Sequence, residues 1–169
     1  MLPSPAKPRP MAMNNLSEKI SVLLGESAPR ETVLENVLRE TLRHFRSETG
    51  TIHILDADKQ LLHLAAQVGL PPQLLDVVKT IPVGKGIAGQ VAAQNKPVSI
   101  CNLQTDSSGV AKPGARQTGV GGSVCVPIRD GDKLTGTLGI GTIRPCEYTA
   151  DETGELEGIG RRLGEFLKR

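Results

Sequence analysis

The chain has 169 residues, a formal net charge of +2, two phenylalanines, one tyrosine and no tryptophan. This length fits one domain with its own core better than two. Because aromatic side chains are few and basic residues form no cluster, we expect no nucleic-acid partner. The apolar runs are too short to cross a membrane, so we expect no membrane partner. Three cysteines far apart in sequence indicate no complete disulfide framework, which predicts a cytoplasmic protein.

The N-terminal part of the chain divides into a tail and a helix. Residues 1–13 contain four prolines, which deny the backbone helix and sheet hydrogen bonds, so we predict a flexible tail. Residues 14–27 carry apolar side chains at helical spacing and form a predicted helix that ends at Gly25. The remaining residues, 28–169, form the predicted domain, whose first helix begins near Pro29.

The next segments read as a β-hairpin followed by short elements. Thr51–Leu55 and Leu61–Val68 have the pattern of strands, and turn residues separate them. A short helix is predicted after Pro72, and an extended segment at 81–83. A further helix is predicted from about Ile87 to Gln94, directly after two glycines.

The second half of the chain adds three strands and a final helix. A short strand at 98–101 leads into a long loop at 102–122, which is rich in glycine and proline. Two strands follow at 123–128 and 134–143, joined by a turn. The last helix begins with a capping box at 149–152. Helices at both ends and antiparallel strands between them predict an α+β fold, with one sheet and helices packed on it.

Three motifs in this order make the sequence recognisable. A G-x-G-x-x-G pattern opens a helix, a V-P-I strand at 126–128 is followed by a glycine-spaced strand at 136–140, and an acidic-capped helix ends the chain. In this combination, residues 28–169 resemble stand-alone members of the GAF family. The resemblance implies a central antiparallel sheet of about six strands, with terminal helices on one face. It also implies ligand loops and short helices on the other face.

The G-x-G-x-x-G glycines have a second possible meaning, since the same pattern occurs in dinucleotide-binding turns. Those turns directly follow a strand of a βαβ unit and have an acidic residue about twenty positions further on. Asp106 lies at about that distance, but it falls in the predicted long loop and not at the end of a parallel strand. The sequence therefore disfavours a dinucleotide fold.

The helix start at Gly86 is the strongest candidate for ligand contact. The first amides of a helix have no acceptor within it, and the helix dipole favours an anion there. Glycines at 84 and 86 also let a ligand approach the backbone closely. The layout is similar to that of nitrate-sensing GAF proteins, and this resemblance places the anion on the amides of Ile87 and Ala88. The alternative is that the glycines only form a tight turn.

The long loop supplies most of the other predicted ligand contacts. Lys112 and Arg116 offer positive charge and paired hydrogen bonds to an anion. Charged loop residues are more often simply solvated, so the loop acting as a lid is a better-supported prediction than any single member. The predicted ligand-binding residues are Gly86, Ile87, Ala88, Ala65, Gln104, Asp106, Lys112, Arg116 and Thr118.

A cysteine enzyme is the main catalytic alternative. One GAF lineage reduces free methionine sulfoxide with a cysteine in a G-V-C-G stretch at this helix start. The matching stretch here is 86–89, so Ala88 stands where the nucleophile would be, which predicts that the chain is not an enzyme. Cys101, Cys125 and Cys146 form an odd set without a CxxC pair, which indicates neither a disulfide framework nor a metal site. Cys125 lies in an apolar run and is expected to behave as a small hydrophobe.

The sequence patterns for a metal ion, haem or a cyclic nucleotide are weaker. His53 and His63 lie on the two predicted hairpin strands, but a third metal ligand with sensible spacing is missing, so we expect no metal or haem cofactor. Both are expected to be partly buried and hydrogen-bonded, whereas His44 is expected on a helix face. Tyr148 stands one residue short of the spacing found in cyclic-nucleotide GAF domains, so that ligand class is not favoured.

The last helix contains four glycines, Gly154, Gly158, Gly160 and Gly164. Each costs about 0.5–1 kcal/mol relative to alanine, so we expect either the sheet or a partner helix to approach closely. Leftover apolar faces of the terminal helices predict a homodimer. The sequence thus predicts a sensory or regulatory domain in signal transduction that binds a small ligand and reports to a partner protein. The alternatives are a dimerisation module without a ligand and a thiol redox sensor.

Overall fold

The computed structural model describes residues 13–101 and 121–169. The helices are α1 Met13–Leu24, α2 Arg30–His44, α3 Leu75–Val78, α4 Gly86–Gln94 and α5 Ala150–Leu167. The strands are β1 Thr49–Asp56, β2 Leu61–Val68, β3 Thr80–Pro82, β4 Val98–Ile100, β5 Ser123–Asp130 and β6 Lys133–Gly141. None of the helices in these two ranges has the length and apolarity that crossing a bilayer requires.

The six strands form one antiparallel sheet in the order β3-β2-β1-β6-β5-β4. Two hairpins, β1–β2 and β5–β6, lie side by side because β6 pairs with β1. The short strands β3 and β4 form the two edges. This arrangement confirms the predicted α+β fold with a central antiparallel sheet of six strands.

One predicted boundary in the second half of the chain is wrong. The last strand was expected to reach Ile143, but β6 ends at Gly141, and Ile143 is exposed. The strand before it begins at Ser123 as predicted, and residues 121 and 122, which precede it, form backbone hydrogen bonds with Thr142. Glycines carry no hydrophobic pattern, which is why this pairing left no signal in the sequence.

One face of the sheet, called here the helix face, is covered by the terminal helices α1, α2 and α5. Ile52, Val126 and Leu138 point into this layer and are fully buried. Full burial of an aliphatic side chain contributes about 1.5–3 kcal/mol, so this layer supplies most of the stabilising apolar burial. The helices contribute Leu16, Ile20, Leu24, Val33, Leu34, Val37, Leu38, Leu42, Leu156, Ile159 and Leu163.

Helix α1 presents its apolar side to its own chain. Ile20 is fully buried against α2 and the rest of the core. On its polar side, Arg162 of α5 donates a hydrogen bond to the Ser17 carbonyl oxygen at 2.9 Å. The part of α1 that remains for a partner is smaller than the sequence suggested, and Val22 is its exposed apolar residue.

The four glycines of α5 fall into two pairs. A Cβ atom at Gly160 would lie 2.7 Å from the carbonyl oxygen of Pro127, and one at Gly164 would overlap that of Arg129. This confirms the expected close approach of the sheet at these two positions, because α5 packs directly on the backbone of β5. Gly154 and Gly158 have open space at the same position.

Candidate functional site

The opposite face of the sheet, called here the site face, carries buried polar side chains. Successive residues of a strand point to opposite faces, so the neighbours of the core residues in β1, β5 and β6 point away from the terminal helices. They include His53, Thr137 and Cys125, all of which are buried. His53 is paired with Thr137 across β1 and β6, and Cys125 with Gly139 across β5 and β6. Helix α4 contacts β5 and β6 and buries Val91 outside the helix-face core.

His53 has one ring nitrogen satisfied and one without a partner. Its Nε2 lies 2.9 Å from the Val78 carbonyl oxygen, and since a carbonyl only accepts, Nε2 carries the hydrogen and donates. Burial lowers the pKa of His53, the Val78 hydrogen bond partly opposes that change, and the nearby His63 lowers the pKa further. The ring is therefore neutral at physiological pH, and Nδ1 is an acceptor. Within the described residues, this nitrogen has no hydrogen-bond partner.

Thr137 and Cys125 continue the polar group across the sheet. The Thr137 hydroxyl is buried and, among residues 13–101 and 121–169, finds no nitrogen or oxygen partner. The hydroxyl lies beside the Cys125 thiol, a weak partner, and lowers the pKa of that thiol. Burial has the larger effect and raises the pKa of Cys125 to about 12. The thiol therefore stays protonated at neutral pH, and Cys125 behaves as the small hydrophobe that its apolar run indicated.

The start of α4 presents backbone amides that have no acceptor within the helix. The first hydrogen bond of the helix joins the Gly89 amide to the Lys85 carbonyl at 3.1 Å, and the N-cap residue Lys85 makes no side-chain capping bond. The amides of Gly86, Ile87 and Ala88 precede that bond and have no acceptor within the helix. Gly86 has a φ of +65°, and the space where its Cβ would lie is open. These three amides are therefore brought together as the sequence predicted.

The glycine turn before α4 is also held from within. The Gly84 amide donates to the Gly89 carbonyl at 2.8 Å, and the Gln90 side chain donates to the Gly84 carbonyl at 2.9 Å. A Cβ at Gly89 would lie 2.6 Å from the Pro82 carbonyl oxygen, so this glycine lets α4 pack against β3. The tight turn therefore explains why glycine occurs at positions 84 and 89. It does not provide hydrogen-bond acceptors for the amides of residues 86–88.

The other predicted ligand residues fall into two groups. Ala65 lies at a β-bulge of β2, opposite Ile52 and His53, where it packs against the helix-face core. The predicted loop contacts lie outside the described residues, and they are Gln104, Asp106, Lys112, Arg116 and Thr118. The sequence did not indicate Thr137 as a buried residue of the site face, and it indicated His53 only as a partly buried histidine. Alternating polar residues in a strand usually indicate a side that faces solvent. Here α4 packs on that side, and such packing of distant segments leaves no local pattern in the sequence.

The histidines do not form a metal site. His63 is paired with Ile54, so it points away from His53, and it is half exposed beside Asp56 at 3.8 Å. The expectation of a buried, hydrogen-bonded residue is therefore met by His53 and wrong for His63. His44 was expected on a helix face, but it is buried and its Nε2 lies 3.0 Å from a Glu155 carboxylate oxygen. In the part of the chain that the structure describes, no group of three histidine, cysteine or acidic residues can hold a metal ion.

Arg129 connects the end of α4 to α5. Its Nε donates to the side-chain oxygen of Asn95, which caps α4, at 2.8 Å. Its Nη1 lies 3.5 Å from a carboxylate oxygen of Glu157 in α5. The guanidinium thus contacts a helix of the site face and a helix of the helix face at once.

Comparison with solved structures shows the same fold in several proteins. The GAF domain of a phosphoenolpyruvate-protein phosphotransferase from Coxiella burnetii superposes with a TM-score of 0.79 at 18% identity, covering 92% of each chain. The nlh2 GAF domain of A. aeolicus, in an inactive state, gives 0.73 at 24% identity, covering 92% of this chain and 95% of that one. The free methionine-R-sulfoxide reductase of Neisseria meningitidis, in complex with its substrate, gives 0.74 at 17% identity, covering 90% and 86%.

Comparison of sequences gives a family but no individual relative. None of the curated proteins matches the chain. The family model described as the GAF domain matches residues 27–168. Because that match takes in most of the sequence and the sheet has the same fold as solved GAF domains, the chain belongs to the GAF domain family.

Proposed function

We propose that this chain is a non-catalytic sensory domain that binds a small anion, nitrate first, at the start of α4. The observation that carries the proposal is the uncapped helix start, where the amides of Gly86, Ile87 and Ala88 have no acceptor within the helix. A planar anion with several acceptor oxygens suits such a group of donors, and the helix dipole adds to the attraction. The open space beside Gly86 leaves room for close approach.

The site face supports binding and suggests a second ligand class. His53 Nδ1 is a buried polar atom without a partner among the described residues, and the buried Thr137 Oγ1 has only the weak Cys125 thiol beside it. Each such atom costs about 1–3 kcal/mol when unpaired, so a bound molecule that pairs them gains affinity. Because His53 Nδ1 accepts, it requires an N–H or O–H group, which nitrate lacks. The second candidate is therefore a small molecule with an anionic group and a donor, such as an amino acid.

We propose that the chain does not reduce methionine sulfoxide, although proteins with that activity share its fold. Ala88 stands where that lineage carries its cysteine. The thiol on the site face, Cys125, is buried and has a pKa of about 12, so it supplies almost no thiolate at neutral pH. Incubation with free methionine sulfoxide and a thiol reductant should give no methionine above the uncatalysed background.

The proposed output runs through the terminal helices to a partner protein in the cytoplasm. Arg129 contacts both the cap of α4 and Glu157 of α5, so displacement of α4 by a ligand is transmitted to α5. A homodimer through the terminal helices is the proposed assembly. Gly154 and Gly158 support it, because the space beside them on α5 is open to a second helix.

Calorimetric titration tests the proposed binding. Nitrate, nitrite, acetate and glycine are each added to the full chain at constant ionic strength, with chloride as the reference salt. Saturable heat with nitrate or nitrite supports the anion, and heat with glycine alone supports the donor-bearing ligand. Absence of binding by all four at millimolar concentration contradicts the proposal.

A pair of variants at position 87 shows whether the backbone amide of Ile87 binds the anion. Ile87→Pro removes one N–H that makes no bond within the helix, and proline is tolerated in a first turn. Ile87→Val keeps that N–H and serves as the control. We expect at least about tenfold weaker binding for Ile87→Pro, since a hydrogen bond to a charged group contributes about 1.5–3 kcal/mol. Equal affinities of the two variants, with both folded by circular dichroism, would place the ligand elsewhere.

A further inference from the structure

We propose that Cys101 and Cys146 form a reversible intramolecular disulfide that joins the end of β4 to the segment before α5. The two residues are far apart in sequence, but the Cys146 amide donates a hydrogen bond to the Cys101 carbonyl oxygen at 3.0 Å. Neither cysteine is part of a disulfide in this structure. A redox input of this kind is separate from ligand binding at α4.

The backbone distance between the two cysteines suits a disulfide. Given one amide-to-carbonyl bond of 3.0 Å and standard bond lengths, the two Cα atoms are at most about 7 Å apart. Disulfides span Cα separations of about 4.4–6.8 Å. A bridge here therefore requires little or no displacement of the backbone.

Gly122 is the second observation that brings the two cysteines together. Ile100 is paired with Ser123 across β4 and β5, so Cys101 continues alongside Gly122. On its other side, Gly122 is in contact with Cys146, and a Cβ atom at Gly122 would lie 2.9 Å from the Cys146 Cβ. A side chain at position 122 would push Cys146 away, so the glycine permits the approach of Cys146 to Cys101.

Exposure distinguishes this pair from the third cysteine. Cys101 is exposed and Cys146 is partly exposed, so an oxidant can reach both. One contact of the Cys146 thiol is with the Glu147 carbonyl oxygen at 3.7 Å, and a thiol is only a weak hydrogen-bond donor. Cys125 is buried within the sheet and serves as an internal control that should not react.

The oxidant we name is a low-molecular-weight disulfide, such as oxidised glutathione. The Cys101 thiol loses its proton to solvent, and the thiolate attacks one sulfur of the oxidant, whose other half leaves as a thiolate. The Cys146 thiolate then displaces the attached half in the same way. Two protein thiols become one disulfide, and one molecule of oxidant becomes two thiols.

The closed bridge would change the region in front of α5. It encloses β5 and β6 in a covalent loop from residue 101 to residue 146, and it fixes the approach to the N-terminus of α5. A loop of this length removes substantial conformational entropy from the unfolded chain. We expect the melting temperature to rise by about 5–10 °C on oxidation and to return on reduction.

Glutathione redox buffers test the proposal on the full chain. Oxidising buffer should lower the intact mass by about 2 Da, for the loss of two hydrogens, and peptide mapping should identify the Cys101–Cys146 link. The melting temperature should rise as the link forms. Cys101→Ser and Cys146→Ser should each abolish the link and the rise, whereas Cys125→Ser should retain both.

Other products overturn the proposal. A link through Cys125, a disulfide between two chains, or glutathione adducts without the internal link would each contradict it. So would a Cys101–Cys146 link that forms without changing the melting temperature. Ligand affinity is measured separately, so failure of the anion proposal leaves these readouts unaffected.

Discussion

The two faces of the sheet are both buried but differ in chemistry. On the helix face, Ile52 and Leu138 are fully buried aliphatic residues with no polar side-chain atoms to satisfy. On the site face, their chain neighbours His53 and Thr137 are each 1% exposed, and each has a polar atom without a nitrogen or oxygen partner among the described residues. Adjacent residues of β1 or β6 therefore have different roles: one stabilises the helix-face core, and its neighbour is a candidate ligand contact on the site face. If the proposed ligand site is right, opposite sides of the same strands serve stability and recognition.

The largest expected effect separates the two faces within β6. Leu138→Ala should lower the free energy of unfolding by about 3 kcal/mol, because it leaves a cavity in the helix-face core. The matched variant Thr137→Val removes from the site face a hydroxyl whose described partner is only the weak Cys125 thiol, so its stability should stay within about 1 kcal/mol of the wild type. Urea unfolding measures both. Equal losses for the two variants would contradict the division of roles.

A smaller effect tests the contact between α5 and the sheet. Gly164→Ala should destabilise the protein by about 2 kcal/mol, because the new methyl group overlaps the Arg129 carbonyl oxygen. Gly158→Ala meets no atom of its own chain, so it should stabilise the monomer by about 0.5–1 kcal/mol through helix propensity, and it should weaken the proposed homodimer if a second helix packs there. Thermal unfolding of both variants checks the difference. A destabilised Gly158→Ala that also loses its dimer in light scattering would show that a partner helix occupies that space.

The smallest expected effect is a pH dependence from His53. Burial holds its pKa below the ordinary value of about 6.5 in the folded state. Below that pH the unfolded chain binds a proton that the folded chain does not, so the free energy of unfolding decreases as the pH falls from about 7 to 5. The slope from this group is at most about 1.4 kcal/mol per pH unit, and above pH 7 the group contributes none.

The control for the pH dependence is His53→Gln, which removes the titrating group and keeps an amide donor for the Val78 carbonyl. Its unfolding profile in urea between pH 5 and 8 should be flatter than that of the wild type. An unchanged slope would show that His53 is not held neutral by burial.

Much of the fold could be predicted because its signals are local. The predicted capping box of α5 is present, with the Thr149 side chain accepting a hydrogen bond from the Glu152 amide. The helical spacing of apolar residues correctly predicted α1 and α2. The burial of His44 was missed, because its partner Glu155 lies on a different helix. The pairing of residues 121 and 122 was missed because glycine has no pattern.

The candidate site was less predictable than the fold. The α4 amides could be found, since a glycine turn before a helix start is a sequence pattern. Thr137 could not, because a threonine in a strand looks the same whether α4 or solvent covers it. The contact of Arg129 with Asn95 and Glu157 likewise depends on three elements meeting in space.

An amide-resolved NMR titration of the full chain with nitrate tests the proposed ligand site at the start of α4 most directly. We expect saturable shifts at the amides of Gly86, Ile87 and Ala88, with smaller changes in the helix-face core. Unchanged amides at these positions up to millimolar nitrate, or saturable shifts confined to other parts of the chain, would contradict it.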